Sequence, residues 1–194
     1  MRILVLSPHT DDAEFGCGGS IARWVDDGDE VYCLAFSYGT ANAEEYCAAM
    51  DGLGAMNMMG HVYETRQFLK HRQEILDDLI RFRDGFGPEM VVIPSSSDIH
   101  QDHQVVHQEA VRAFKQCTIL GYEVPWNQLT SDATMLVSIT AAQLQRKIDA
   151  VMCYESQAGR AYAQEEVLTA LARVRGVQAG TALAEAFEVV RQVW

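Results

Sequence analysis

Short apolar runs without polar interruption recur along the chain: Ile3-Leu4-Val5-Leu6, Val31-Tyr32-Cys33-Leu34-Ala35-Phe36 and Met90-Val91-Val92-Ile93. A strand with one face in water alternates apolar and polar residues, whereas a strand covered on both faces does not need to. Between these runs the apolar spacing is helical, as in Tyr46, Ala49, Met50 and Leu53. The pattern predicts an α/β, doubly wound fold: a mostly parallel sheet with helices on both faces and right-handed crossovers. Strands are expected over 2–7, 31–36, 55–59, 90–93, 119–124, 135–139 and 186–193. Helices are expected over 18–26, around 46–53, and over 65–83, 102–114, 141–152 and 165–175.

With 194 residues and 48% apolar composition, the chain can bury one substantial core and is too short for two ordinary domains. The expectation is one domain, 1–194. Only 15 Lys and Arg offset 27 Asp and Glu, a net charge of -12, which argues against a nucleic-acid or anionic-membrane partner. No signal peptide or apolar stretch of about eighteen residues is present, so a cytoplasmic protein is expected. Five cysteines without a CxxC pair encode neither a disulfide framework nor a cysteine zinc knuckle.

The chemistry-bearing residues follow two of the strands. His9, Asp11 and Asp12 come directly after the first, and His100, Asp102 and His103 follow the fourth. In a doubly wound sheet those loops open side by side if the two strands are neighbours. His9, Asp12 and His103 would then give two imidazoles and a carboxylate with an open position, a hydrolytic rather than structural Zn2+ arrangement, with Fe2+ or another divalent metal as an alternative. Zinc lowers the pKa of a water in that position toward roughly 7. Asp11 fits a general base by position, and His100 fits a donor to the oxyanion or leaving amine if an acid such as Asp102 holds it protonated.

Each residue also has an ordinary role. Acids opening a helix are commonly caps and complements to its dipole, and lone histidines such as His61, His71 and His107 are unremarkable. His103 and His107 share a helix face, but without an HExxH pattern. Gly16-Cys17-Gly18-Gly19 fits GxGxxG poorly, since Ile21 takes the last position, and it is assigned to a close backbone passage rather than a dinucleotide turn.

The stretch Pro8-His9-Thr10-Asp11-Asp12-Ala13-Glu14-Phe15-Gly16-Cys17-Gly18-Gly19 resembles the PHxDDxExGxGG signature of the PIG-L/LmbE-like zinc-dependent N-deacetylases. His100-Gln101-Asp102-His103 is similar to the family's HxDH motif, Tyr154-Glu155-Ser156-Gln157 to its YxSQ element, and the resemblance continues to residues 184–191. It implies a Rossmann-like three-layer fold, metal ligands His9, Asp12 and His103, Asp11 as base, and His100 steered by Asp102. It also makes homo-oligomerisation an expectation. Thr10 replaces a proline common in the family, and Asn42 stands where several members carry an arginine.

The leading hypothesis is a hydrolase that cleaves the acetamide of an N-acetylglucosamine-type sugar or conjugate by zinc-activated water, releasing acetate and a free amine. Residues 122–127, with Tyr122 and Trp126, offer one wall for the sugar, since aromatic faces pack on pyranose rings, or else simply end a strand. Rival readings are a metal-dependent amidase acting on a non-sugar acyl amine and a non-catalytic carbohydrate-binding protein on the same fold.

Overall fold

The computed structural model describes residues 1–60 and 62–193, without the side chains of 40–42 and 59. His61 and the side chain of Asn42 therefore lie outside the described residues. Five strands, β1 (Arg2–His9), β2 (Glu30–Ser37), β3 (Met56–Met59), β4 (Met90–Pro94) and β5 (Thr118–Tyr122), pair in parallel. Two more, β6 (Met135–Ser138) and β7 (Ala184–Arg191), complete a seven-stranded sheet in the order β3-β2-β1-β4-β5-β7-β6, with β7 antiparallel to both neighbours.

The unbroken apolar runs have the predicted cause. Ile3 and Val5 of β1 pack on one face of the sheet, against α1 (Asp12–Asp26), α2 (Thr40–Leu53) and α5 (Ala141–Met152). Leu4 and Leu6 pack on the other, against α3 (Arg72–Phe86) and α4 (Gln101–Ala113). All four side chains are fully inaccessible. A smaller cluster built on Phe15, Leu144, Ile148 and Leu168 joins α1 and α5 to α6 (Glu165–Ala179).

Three helices begin elsewhere than the sequence predicts; α2 starts at Thr40, six residues before the spacing that marks it. α1 starts at Asp12, six residues before the expected Gly18, and runs through the glycines with one non-helical residue, Cys17 (φ -148°, ψ 25°). The glycines serve close packing: a Cβ on Gly16 would lie 2.2 Å from the Tyr122 ring, and one on Gly19 would lie 2.6 Å from Ile139. The amides of Gly19 and Ser20, just past the break, donate to the buried Glu185 carboxylate of β7 at 3.1 and 2.6 Å. Lys147 of α5 completes that cluster at 2.5 Å. This is the close backbone passage expected for the glycines.

The helix expected from residue 65 starts at Arg72, preceded by a 3-10 turn, Phe68–His71. Arg66 adopts φ 69°, a left-handed conformation that no helix can propagate through. At its other end α3 includes Gly85 and stops at the left-handed Gly87 (φ 64°). Among the described residues no helix is long and apolar enough to cross a membrane.

Candidate active site

Strand order reverses between β1 and β4, which are hydrogen-bonded neighbours. Their following loops open into one cavity of about 470 Å³ whose lining includes His9, Asp11, Asp12, His100 and His103. This is where open α/β sheets bind ligands.

Three donor atoms converge there. Asp12 Oδ2 lies 3.1 Å from His9 Nδ1 and 3.1 Å from His103 Nε2, and the two ring nitrogens are 3.4 Å apart. Ligands about 2.0–2.1 Å from a tetrahedral cation sit roughly 3.3 Å from one another, so this triangle has the dimensions of one face of such a site. His100 also brings a ring nitrogen within 4.8 Å of those of His9 and His103. Its Nδ1, however, accepts the Asp102 amide at 3.2 Å, which puts the proton on Nε2 and makes that nitrogen a donor rather than a ligand.

The far nitrogens of both candidate ligand imidazoles rest on buried carboxylates. His103 Nδ1 donates to Asp98 Oδ2 at 2.7 Å, and His9 Nε2 donates to Asp102 Oδ2 at 3.1 Å. Such partners fix the tautomer and aim of a metal-binding histidine. Burial alone would lower both imidazoles. Asp12 between them and the carboxylates behind them more than offset it, raising His9 to about 9 and His103 to about 10. Burial would likewise raise Asp12, yet the two rings hold it well below the usual carboxylate range. The cluster thus favours positive charge at its centre, which protons or a divalent cation can provide.

The expectation that Asp102 holds His100 protonated does not survive. The Asp102 carboxylate turns to His9 and to the amides of Arg66 (2.6 Å) and Phe68 (3.4 Å), and only its backbone amide meets His100. Burial, followed by the neighbouring His103 and His9, lowers His100 below its ordinary value, so it is a neutral ring with an Nε2 proton to donate. The Asp102 carboxylate thus also holds the backbone amide of the left-handed Arg66.

Asp11 occupies the N-cap position of α1 but makes no side-chain cap bond, and its carboxyl lines the cavity. Burial, then the neighbouring Asp12 charge, pushes it up to about 6. Behind it the Tyr154 hydroxyl lies 2.7 Å from the Thr10 carbonyl and 2.5 Å from Glu14 Oε1. A hydroxyl has one hydrogen, so both contacts form only when Glu14 carries a proton of its own. Burial, reinforced by Asp11 and Asp12, raises Glu14 well above the carboxylate range.

Asp98, Glu14 and Tyr154 received no role from the sequence, although all three lie in or beside the motifs quoted for it; their roles depend on partners far along the chain or on which way a side chain turns. Of residues 122–127, Trp126 and Asn127 line the cavity. Tyr122 does not belong to that wall: it is buried under Gly16 and its hydroxyl donates to the Leu6 carbonyl at 3.1 Å.

Comparison with known proteins agrees with this architecture. The family model for PIG-L, GlcNAc-PI de-N-acetylase, matches residues 4–114, more than half of the chain. The Escherichia coli K12 uncharacterized deacetylase YaiS is 28% identical over 167 residues, which span 79% of this chain and 90% of that protein. Among solved structures, the zinc-inhibited form of teicoplanin deacetylase Orf2 is 19% identical with a TM-score of 0.81, covering 96% of this chain and 97% of that one. GalB, the 4-carboxy-2-hydroxymuconate hydratase of Pseudomonas putida KT2440, is 21% identical with a TM-score of 0.82, covering 100% and 97%. At such identities the structures speak for the fold alone, and this fold carries both a deacetylase and a hydratase. With the family model spanning both cavity loops from His9 to His103, the chain belongs to the PIG-L family.

Proposed function

We propose that the protein is a metal-dependent N-deacetylase that hydrolyses the acetamide of an N-acetylglucosamine-type amino sugar or its conjugate. The observation that carries this reading is the 3.1, 3.1 and 3.4 Å triangle of His9, Asp12 and His103, with the uncommitted Asp11 carboxyl beside it in one cavity. Those three residues would hold Zn2+, or Fe2+ in its place. When bound, the cation supplies Lewis acidity toward the acyl oxygen and toward water.

The remaining work falls to the chain's own groups. Asp11, pushed up to about 6, is mostly ionised at neutral pH and still basic enough to take a proton from the attacking water. The water oxygen adds to the acyl carbon, and the C–N bond breaks as the resulting oxyanion collapses and Asp11 returns that proton to the leaving nitrogen. His100 offers its Nε2 proton to the developing oxyanion as a neutral donor. Asp102 acts on His9 rather than on His100, keeping its Nδ1 aimed at Asp12.

The test is a panel of N-acetylated amino sugars and non-sugar acetamides, scored for acetate and free amine with the metal content of the protein measured in parallel. Equimolar acetate and amine from the sugars supports the reading. Release only from non-sugar amides would replace it with a broader amidase. Loaded protein inert toward every amide, yet hydrating an unsaturated acid, would move it to the chemistry of its hydratase neighbour.

A further inference from the structure

We infer that the cavity corner formed by Phe15, Trp126 and Tyr162 is a subsite for an apolar aglycone, aryl or alkyl, carried by the amino sugar; this rests on the deacetylase reading above. Three separate segments build the corner: α1, the turn Pro125–Asn127 and the turn Ala161–Ala163. The Trp126 and Tyr162 rings stack 4.3 Å apart at 12°, and Phe15 meets them edge-on at 5.1 and 5.5 Å.

The ledge is held in place. The Asn127 carbonyl accepts the Ile99 amide at 2.9 Å, and Gln128 donates to Ser97 at 2.8 Å, so the turn bearing Trp126 is tied to the loop that bears His100. Trp126 nonetheless leaves 37% of its surface open.

Sugar hydroxyls are poor occupants of this corner. The Tyr162 hydroxyl already donates to Gln157 at 3.1 Å, and Trp126 and Tyr162 each cover a face of the other. A hydroxyl pressed against such rings gives up water without a replacement, whereas an apolar group gains by leaving it. Elsewhere the cavity lining carries Ser37, Thr65, Arg66 and Asn127, which suit the sugar itself. The cavity is therefore two-natured, and Phe15, one turn beyond Asp11 on α1, brings the apolar corner close to the reacting end.

The experiment compares methyl and phenyl N-acetyl-β-D-glucosaminides as substrates of the metal-loaded protein, and methyl and phenyl β-D-glucosaminides as ligands by calorimetry. The phenyl glycosides should show a KM and a Kd about tenfold lower than the methyl ones, the scale expected for one additional aromatic contact with its buried area. In Trp126→Ala the phenyl-to-methyl ratio of KM and of Kd should rise from about one-tenth to about one. Equal values for the two wild-type series overturn the subsite. So does a Trp126→Ala loss that is the same for both glycosides, which would make the ledge a platform for the sugar ring. Tighter phenyl binding without turnover of any glycoside would support the subsite and sink the deacetylase reading.

Discussion

The loop after β1 and the loop after β4 bring the same ingredients to the cavity, imidazole and carboxylate, but turn their carboxylates in opposite directions. In the first, Asp12 faces inward between two rings and Asp11 stays uncommitted. In the second, Asp98 and Asp102 face backward and grip the far nitrogens of His103 and His9. Because His9 belongs to one loop and its anchor Asp102 to the other, the loops are interlocked. A carboxylate's task here is set by what it turns toward, not by its place in a motif.

The strongest way to break that contrast is His103→Ala, which removes an inward-facing ring. Bound metal should drop to background and hydrolysis with it; full metal occupancy by elemental analysis would take His103 out of the ligand set. Asp11→Asn should keep the metal yet lose roughly two to four decades in kcat, the usual share of a general base. Unchanged turnover would refute its role as base.

Proton linkage sharpens the comparison. His9 and His103 hold protons to about 9 and about 10, and a cation must displace them. Apparent metal affinity should therefore rise with pH from 6 toward 9, and protons should be released at pH 7, measurable by calorimetry in buffers of differing ionisation enthalpy. For the metal-free protein the sign is opposite. Stability from these raised pKa values is complete below about 6.5, the ordinary histidine value, and fades as pH climbs through 9 to 10. Thermal melts of stripped and loaded protein across that window should diverge.

Asp98→Asn and Asp102→Asn probe the backward-facing acids. Each should weaken metal binding by about 10- to 100-fold while leaving all three candidate ligands in place. Asp102→Asn should also loosen the segment around Arg66 and Phe68, seen as faster amide exchange there, whereas Asp98→Asn should not. The smallest effect is expected of Tyr154→Phe. Losing the hydroxyl between Thr10 and Glu14 should lower unfolding stability by about 1 kcal/mol and kcat by only a few-fold, with metal content unchanged.

Strands buried on both faces were legible because the sequence itself carries the consequence of that burial: Leu4 and Val5 must both be apolar if neither faces water. The clustering of His9, Asp12 and His103 was legible too, since ligand-type residues at the ends of neighbouring strands have few other destinations. What could not be read lay in side-chain direction. Asp102 sits two residues from His100, yet its carboxylate reaches His9, 93 positions away. The start of α1 was hidden by glycines, which weaken helix propensity unless a tertiary contact such as the Tyr122 ring demands them. The left-handed Arg66 likewise has its amide held by a carboxylate that local sequence does not contain.

The cavity draws its lining unevenly from the chain. All candidate ligands and proton carriers lie at or before His103, and the family model ends at 114, whereas Trp126, Ser156, Gln157 and Tyr162 come later. Part of the lining thus comes from a stretch that carries no candidate ligand, while Phe15, Ser37, Thr65 and Arg66 are interspersed with the ligands. Variation within 122–163 could therefore reshape that part of the cavity while His9, Asp11, Asp12 and His103 pass through unaltered.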